Sequence, residues 1–224
     1  MSKIPITYFS DALCIWAYIS EARIQAVRTT FTEAIDLEIR FCSVFGNTAS
    51  KIRKTWGQDD GYERFNRHLL EVAARFPELK VAPTVWLGTR PASSMAAHLY
   101  LKAVQLAEAA GHCRGGSAEK MIKSVRHAFF EHARDISCRA ELRKIADQLA
   151  LPSRVIETTI DDGTAFAALS SDYQDADSLG VEGSPTFVFN DGRQKLYGNV
   201  GFHIIEANIR ELIREPHTGQ ASWC

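Results

Sequence analysis

Ile4-Pro5-Ile6-Thr7-Tyr8-Phe9-Ser10-Asp11-Ala12-Leu13-Cys14-Ile15-Trp16-Ala17 is the stretch whose reading decides the fold. Residues 4–10 are rich in β-branched and aromatic side chains, which predicts a strand. Asp11-Ala12-Leu13 predicts a turn. Residues 15–31 carry a helical pattern without glycine or proline and predict one long helix. Cys14 then stands at a strand-to-helix junction, close to the first turn of that helix. Unpaired backbone N–H groups and the helix dipole favour negative charge there. The thiol is therefore expected to ionise readily and to act as a nucleophile. Ala17 stands where a CxxC motif would put its second cysteine, so Cys14 is expected to work alone, with Ile15, Trp16 and Ala17 completing the active-site turn.

Working outward, residues 33–42 alternate Ile35, Leu37, Ile39 and Phe41 with Asp36, Glu38 and Arg40, the pattern of a half-buried strand. Strand, helix and strand together predict a βαβ unit with a parallel pair. Residues 47–159 are mostly helical in pattern. Residues 51–76 break at 57–61, and 81–87 read as a short extended piece containing Pro83. Ser93-Ser94 can cap a helix over 95–110, which stops at a Gly-rich turn over 111–116. Ser117 can cap a helix over 118–133, a further helix runs to 150, and Ser153 can cap one over 154–160. A last helix of this block covers 165–179. Residues 186–189 form a short apolar strand, Asn190-Asp191-Gly192 is a hairpin turn signal, and 194–197 return as a strand. Residues 202–214 are an amphipathic helix with Ile205, Ile209 and Leu212 on its apolar side, and 216–224 read as a loose tail.

The 224-residue chain is 46% hydrophobic and 24% charged, ordinary proportions for a globular protein. A formal net charge of −1 gives no electrostatic reason to expect nucleic acid or an anionic membrane as partner. The apolar runs are far short of a membrane span, and residues 1–5 lack the layout of a signal peptide, so a cytoplasmic location is expected. The five cysteines are Cys14, Cys42, Cys113, Cys138 and Cys224, and no two make a CxxC pair. That argues against a zinc ribbon and against a disulfide framework; neither a metal nor a tightly bound cofactor is expected. Cys42 closes an apolar strand and reads as a buried inert thiol. Cys138 lies in a helical stretch and reads as structural. Cys113 and Cys224 read as exposed and are the candidates for a second thiol.

The order β-α-β, helical block, β-β-α resembles an α/β thioredoxin fold with a large helical insertion. Residues 1–46 and 180–216 would make a discontinuous thioredoxin-fold domain, 47–179 a helical insert domain and 217–224 a flexible tail. Residues 9–18, Phe-Ser-Asp-Ala-Leu-Cys-Ile-Trp-Ala-Tyr, resemble the first strand and active-site turn of the DsbA-like family. The likeness is to its cytoplasmic FrnE-type branch, whose motif runs Asp-x-x-Cys-Pro-Trp-Cys-Tyr. Gly183-Ser184-Pro185-Thr186-Phe187 resembles that fold's cis-proline loop. His127-Ala128-Phe129-Phe130-Glu131 with Asp135-Ile136-Ser137 resembles its helical insert. Ile15 replaces the usual proline, and Ala17 replaces the resolving cysteine. The resemblance implies a thiol–disulfide oxidoreductase with Cys14 as nucleophile and with Ser184 and Pro185 binding substrate backbone. Without a local second thiol, a mixed disulfide would be resolved by glutathione as co-substrate, by a substrate thiol, or by a distant cysteine such as Cys113 or Cys224. The implied partners are protein or small-molecule thiols and disulfides.

Kappa-class glutathione transferases and 2-hydroxychromene-2-carboxylate isomerases are similar in plan and place a serine where this chain has Cys14. A glutathione-dependent transferase or isomerase is therefore the second expectation, and a peptide-binding module without turnover the third. Lys51, Arg53 and Lys54 read as a solvated face that could also hold a glutathione carboxylate. Trp16 reads as either groove lining or helix packing, and Tyr18 as packing. Asp11 reads as a turn or cap residue rather than a proton shuttle. His98 and His127 read as partly buried helix residues rather than catalytic bases. Apolar faces on the insert would permit a homodimer.

Overall fold

The computed structural model describes residues 3–215. β1 (Ile4–Ser10), β2 (Ile35–Phe41), β3 (Thr186–Phe189) and β4 (Gln194–Tyr197) form a four-stranded sheet in the order β2-β1-β3-β4. β1 and β2 are parallel, with Ile4 opposite Ile35 and Ser10 opposite Phe41. β3 runs antiparallel to β1, with Tyr8 opposite Phe187, and β4 antiparallel to β3. A parallel pair needs a crossover, here supplied by α1 (Ile15–Ile19) and α2 (Glu21–Thr30). Seven helices follow β2: α3 (Thr48–Trp56), α4 (Gly61–Ala73), α5 (Met95–Ala109), α6 (Ser117–Phe130), α7 (Arg139–Gln148), α8 (Ser153–Asp161) and α9 (Thr164–Ser178). After β4, α10 (Phe202–Arg214) packs back on α2 and β1. This is the α/β thioredoxin-type order with helices inserted before β3.

Strand alternation sorts the sheet residues between two faces. Tyr8, Phe187 and Phe189 join the main core, which continues into the helical block through Trp86, Tyr100 and Phe129. Phe9 and Val188 point the other way and pack with Cys42 and Ala176. β2 lies at the sheet edge, where unpaired backbone groups would invite another strand. The helices take up those groups. Arg28 donates to the Leu37 carbonyl at 3.0 Å, Gln105 donates to the Ile39 carbonyl at 2.8 Å, and the Phe41 N–H donates to the Asp172 carboxylate at 3.1 Å. Asp172 is in turn paired with buried Lys102 at 2.6 Å.

Several sequence expectations differ from the structure. The helix expected over 15–31 breaks at Ser20, which ends α1 and precedes α2. The Ser20 hydroxyl donates to the Trp16 carbonyl at 2.8 Å, a local bond that competes with helix continuation. Residues 81–87 are not extended but form tight turns, with Val85 N–H donating to Ala82 and Gly88 N–H to Thr84. Asn66 holds them by bonding the Pro83 carbonyl and the Trp86 N–H, and Trp86 is fully buried. Ser117 does not cap α6. Gly116, at φ +83°, is the cap, and the Glu108 carboxylate accepts the N–H groups of Gly116 and Ala118. The tail expected over 217–224, with Cys224, lies outside the described residues.

Candidate active site around Cys14

The turn after β1 is held by a buried carboxylate. Asp11 Oδ1 accepts the Leu13 N–H at 2.8 Å. Asp11 Oδ2 accepts the N–H groups of Val44 at 2.9 Å and Phe45 at 2.8 Å, and the Ser94 hydroxyl at 2.8 Å. Four donors on one carboxylate make Asp11 a bracket that joins the turn to the loop after β2 and to the start of α5. Ser94 therefore spends its hydroxyl on Asp11 and makes no side-chain cap of α5.

His98, on α5, reaches the same turn. Its Nε2 accepts the Ala12 N–H at 3.0 Å, and its Nδ1 faces the Tyr173 hydroxyl at 2.9 Å. A backbone N–H can only donate, so Nε2 is the unprotonated nitrogen and Nδ1 carries the proton. Burial lowers the His98 pKa to about 4, although the Asp11 carboxylate 3.8 Å away pulls it upward. The ring is therefore neutral near pH 7. The sequence reading of His98 as a partly buried helix residue is corrected: it is fully buried and bonded to the Cys14 turn. Arg126, which the sequence did not single out, also reaches the end of β1. Its buried guanidinium donates to Ser10 Oγ at 2.9 Å and to Glu21 at 3.2 Å. His127, half-exposed, lies between Glu21 and Glu131, which hold its pKa above the ordinary value. Tyr18 packs edge-on against that ring and donates its hydroxyl to Glu131 at 3.0 Å.

Cys14 is the N-cap of α1, and its thiol donates to the Ser184 carbonyl at 3.2 Å. The Ser184 hydroxyl accepts the Asp11 N–H at 2.9 Å, and the Ser184–Pro185 peptide is cis. Ile15 and Ala17 are buried, while Trp16 is half-buried against the core. A Cβ at Gly183 would lie 2.7 Å from the exposed Tyr197 ring, which would have to swing aside. The expectation of an easily ionised thiol does not hold for this arrangement. Cys14 is only 6% exposed, and burial pushes its pKa up. Ser184 and the N–H groups of Ala17 and Trp16 act in the opposite direction but with less effect. Two causes raise the pKa: the sulfur is removed from water, and the Asp11 carboxylate disfavours a second negative charge beside it.

Among the described residues all four cysteines are free thiols, and Cys42 is near enough for the charge of a Cys14 thiolate to act on it. Cys42 belongs to the Phe9 face of the sheet, with its sulfur 4.0 Å from the Gly183 carbonyl, and burial pushes its pKa up. Cys138 is exposed at the N-cap of α7 rather than inside a helix. Cys113 is half-buried and lines a cavity with His112, Arg114 and Lys120. A separate cavity of about 480 Å³ abuts Gly183 and is lined by Cys42, Val44, Lys51, Tyr173, Asp177 and Glu182 among others. Of the expected basic cluster, Lys51 alone lines it; Arg53 and Lys54 are exposed elsewhere on α3. Among the described residues, no group of three or more His, Cys, Asp or Glu side chains could hold a metal ion, and no helix is long and apolar enough to cross a membrane.

A cysteine at the N-cap of the helix after the first strand, facing the carbonyl before a cis-proline, on a sheet of this order, is an arrangement of the thioredoxin-fold class. The DSBA-like thioredoxin domain matches residues 5–210, and the chain belongs to that family. Solved structures of similar fold include a proposed protein disulfide isomerase from Nitrosomonas europaea, with 15% identity and a TM-score of 0.76, covering 97% of this chain and 100% of that one. The cytosolic disulfide reductase DsbM from Pseudomonas aeruginosa, also solved with GSH, has 20% identity and a TM-score of 0.66, covering 92% and 99%. A 2-hydroxychromene-2-carboxylate isomerase has 13% identity and a TM-score of 0.62, covering 95% and 97%. At these identities the likeness is one of fold. No curated protein matches the sequence.

Proposed function

We propose that the chain is a thiol–disulfide oxidoreductase acting through one nucleophilic cysteine, Cys14, by way of mixed disulfides. The observation that carries this is the Cys14 thiol against the Ser184 carbonyl at 3.2 Å, with Ala17 in place of a second thiol. The Cys14 thiolate attacks one sulfur of a substrate disulfide. A bond from Cys14 to that sulfur forms, the substrate S–S bond breaks, and the departing thiolate takes a proton. The resting thiol is buried, so the step begins when the Ser184 contact opens. Water or substrate then reaches the sulfur and removes the desolvation that holds it protonated. The freed Ser184 carbonyl is an acceptor for the backbone of an extended substrate. An external thiol then attacks the mixed disulfide and expels Cys14 as a thiolate, restoring the site.

Glutathione suits the role of external thiol. The cavity beside Gly183, lined by Cys42 and not by Cys14, lies one residue from Ser184 and offers Lys51 to a carboxylate and Asp177 and Glu182 to an ammonium group. A cytoplasmic setting, where glutathione is kept reduced, fits this route, as does the Asp11-x-x-Cys14 spacing of the FrnE-type branch. The same cavity, together with Ala17, also supports the second reading, a glutathione-dependent transferase or isomerase.

Intact mass after incubation with oxidised glutathione tests the proposal. Cys14→Ser is expected to gain one glutathione fewer than the parent, the exposed Cys138 being open to the reagent in both. A Cys14→Ser variant that gains as many glutathiones as the parent overturns it. Conjugation of electrophiles to glutathione that survives in Cys14→Ser would support the second reading instead.

A further inference from the structure

We propose that His98 is a positioning residue for Cys14: its Nε2 lone pair holds the Ala12 N–H and thereby sets the turn over residues 11–13 from which the thiol projects. The proposal rests on the exchange reading of the Cys14 site. Four consecutive backbone donors lead up to the sulfur, and each has one acceptor. Asp11 N–H goes to Ser184 Oγ, Ala12 N–H to His98 Nε2, Leu13 N–H to Asp11 Oδ1, and Cys14 N–H to the Asp11 carbonyl. Of these acceptors, His98 is the one supplied by the helical block.

The ring is oriented from every side. Phe41 of β2 stacks on it with centroids 4.9 Å apart, and Tyr173 of α9 meets Nδ1 at 2.9 Å. The Asp11 carboxylate lies 3.8 Å from Nε2. The cations Lys102 and Arg126 also act on the ring, and both favour its neutral form. Lys102 is itself paired with Asp172, and Arg126 with Glu21. Of the two neutral tautomers one fits. A proton on Nε2 would oppose the Ala12 N–H across 3.0 Å. Tyr173 supports the other tautomer by accepting the Nδ1 proton. An apolar side chain of similar size would fill the space but leave the Ala12 N–H buried and unpaired. The turn would then shift to hydrate that group. Asp11 N–H and the Cys14 sulfur move with the turn, and both are bonded to Ser184.

The test uses the full chain and three variants, His98→Gln, His98→Leu and Tyr173→Phe. Glutamine presents an amide oxygen where Nε2 accepts, and leucine presents nothing. The readouts are the iodoacetamide alkylation rate of Cys14 at one slightly alkaline pH, the melting temperature, and the ¹⁵N spectrum of the His98 ring. His98→Leu is expected to change the alkylation rate by about tenfold, whereas His98→Gln stays within about threefold of the parent. The parent spectrum is expected to place the proton on Nδ1, and Tyr173→Phe to leave it there, because the Ala12 N–H still occupies Nε2. Leucine and glutamine variants that react alike would overturn the proposal, as would a parent spectrum with the proton on Nε2. If His98→Leu does not fold, the spectra of the parent and Tyr173→Phe decide. Alkylation and tautomer do not depend on disulfide exchange, so a parent that takes up no glutathione at Cys14 defeats the exchange reading separately.

Discussion

Ser184 grips the Cys14 turn at two points: its carbonyl oxygen accepts the Cys14 thiol at 3.2 Å, and its hydroxyl accepts the Asp11 N–H at 2.9 Å. In the proposed exchange, the loop that would receive substrate thus also closes over Cys14. Reactivity and access are governed by the same contact, and that shapes what solution measurements should find.

The first expectation concerns the thiol itself. Burial raises the Cys14 pKa, so its thiolate is scarce at neutral pH in the closed form. Alkylation rate plotted against pH should have a midpoint above ~8.5, the value of free cysteine. In urea the midpoint should drop back to that value. A midpoint well below it in the folded chain would show that the resting site is open and activated.

Ala17→Cys should restore what the tetrapeptide lacks. Ala17 is fully buried on α1, within the same helical turn as Cys14. The added sulfur costs about 1 kcal/mol in overpacking. In return the glutathione adduct on Cys14, long-lived in the parent, should be expelled by internal attack, leaving an intramolecular disulfide. Intact mass over time reads this directly. A persistent adduct would mean that the turn is no longer shaped for intramolecular exchange.

Removing the Asp11 bracket should be costly. Asp11→Ala leaves the N–H groups of Leu13, Val44 and Phe45 and the Ser94 hydroxyl without their acceptor. The expected loss is about 3–5 kcal/mol in urea unfolding, with Asp11→Asn losing less because one oxygen still accepts. A loss under about 1 kcal/mol would show that water replaces the carboxylate at little expense.

His98 makes stability depend on pH with a definite sign. Its pKa is about 4 when folded, against ~6.5 unfolded. Between those values the unfolded chain binds more protons, so stability rises with pH across the window and is lost as pH falls through it. The full effect is about 3 kcal/mol by pH ~4. His127 works in the opposite direction. Its raised pKa contributes stability that is present at low pH and lost as pH rises through its folded value. That contribution is smaller, because His127 is half-exposed and solvent screens it. Urea unfolding of the parent and of His98→Gln across the window should give a flatter pH dependence for the variant. Equal slopes would show that His98 is not held neutral.

The strands β1, β3 and β4 and the helix α10 fall where alternation and periodicity place them, because those patterns depend on neighbouring residues alone. The same local chemistry marked Cys14 at a strand-to-helix junction, whereas Ser184-Pro185 entered through the resemblance of residues 183–187 to a cis-proline loop. Ser20 was missed as a helix break because a serine inside a helical pattern gives no periodic signal, and its hydroxyl bond to Trp16 settles the outcome. Residues 81–87 were misread because Asn66, far along the chain, holds their turns. Only the tertiary structure decided the state of the Cys14 thiol. Whether a helix-start thiol is hydrated or enclosed depends on which groups fill the space around it. Those groups, Ser184 above all, come from remote parts of the chain, as do the acceptor His98 and the donor Arg126, 86 and 116 positions from their partners. Contacts at such separations leave no trace in local sequence pattern, yet they set the dielectric around the sulfur, and with it the charge the sulfur can carry.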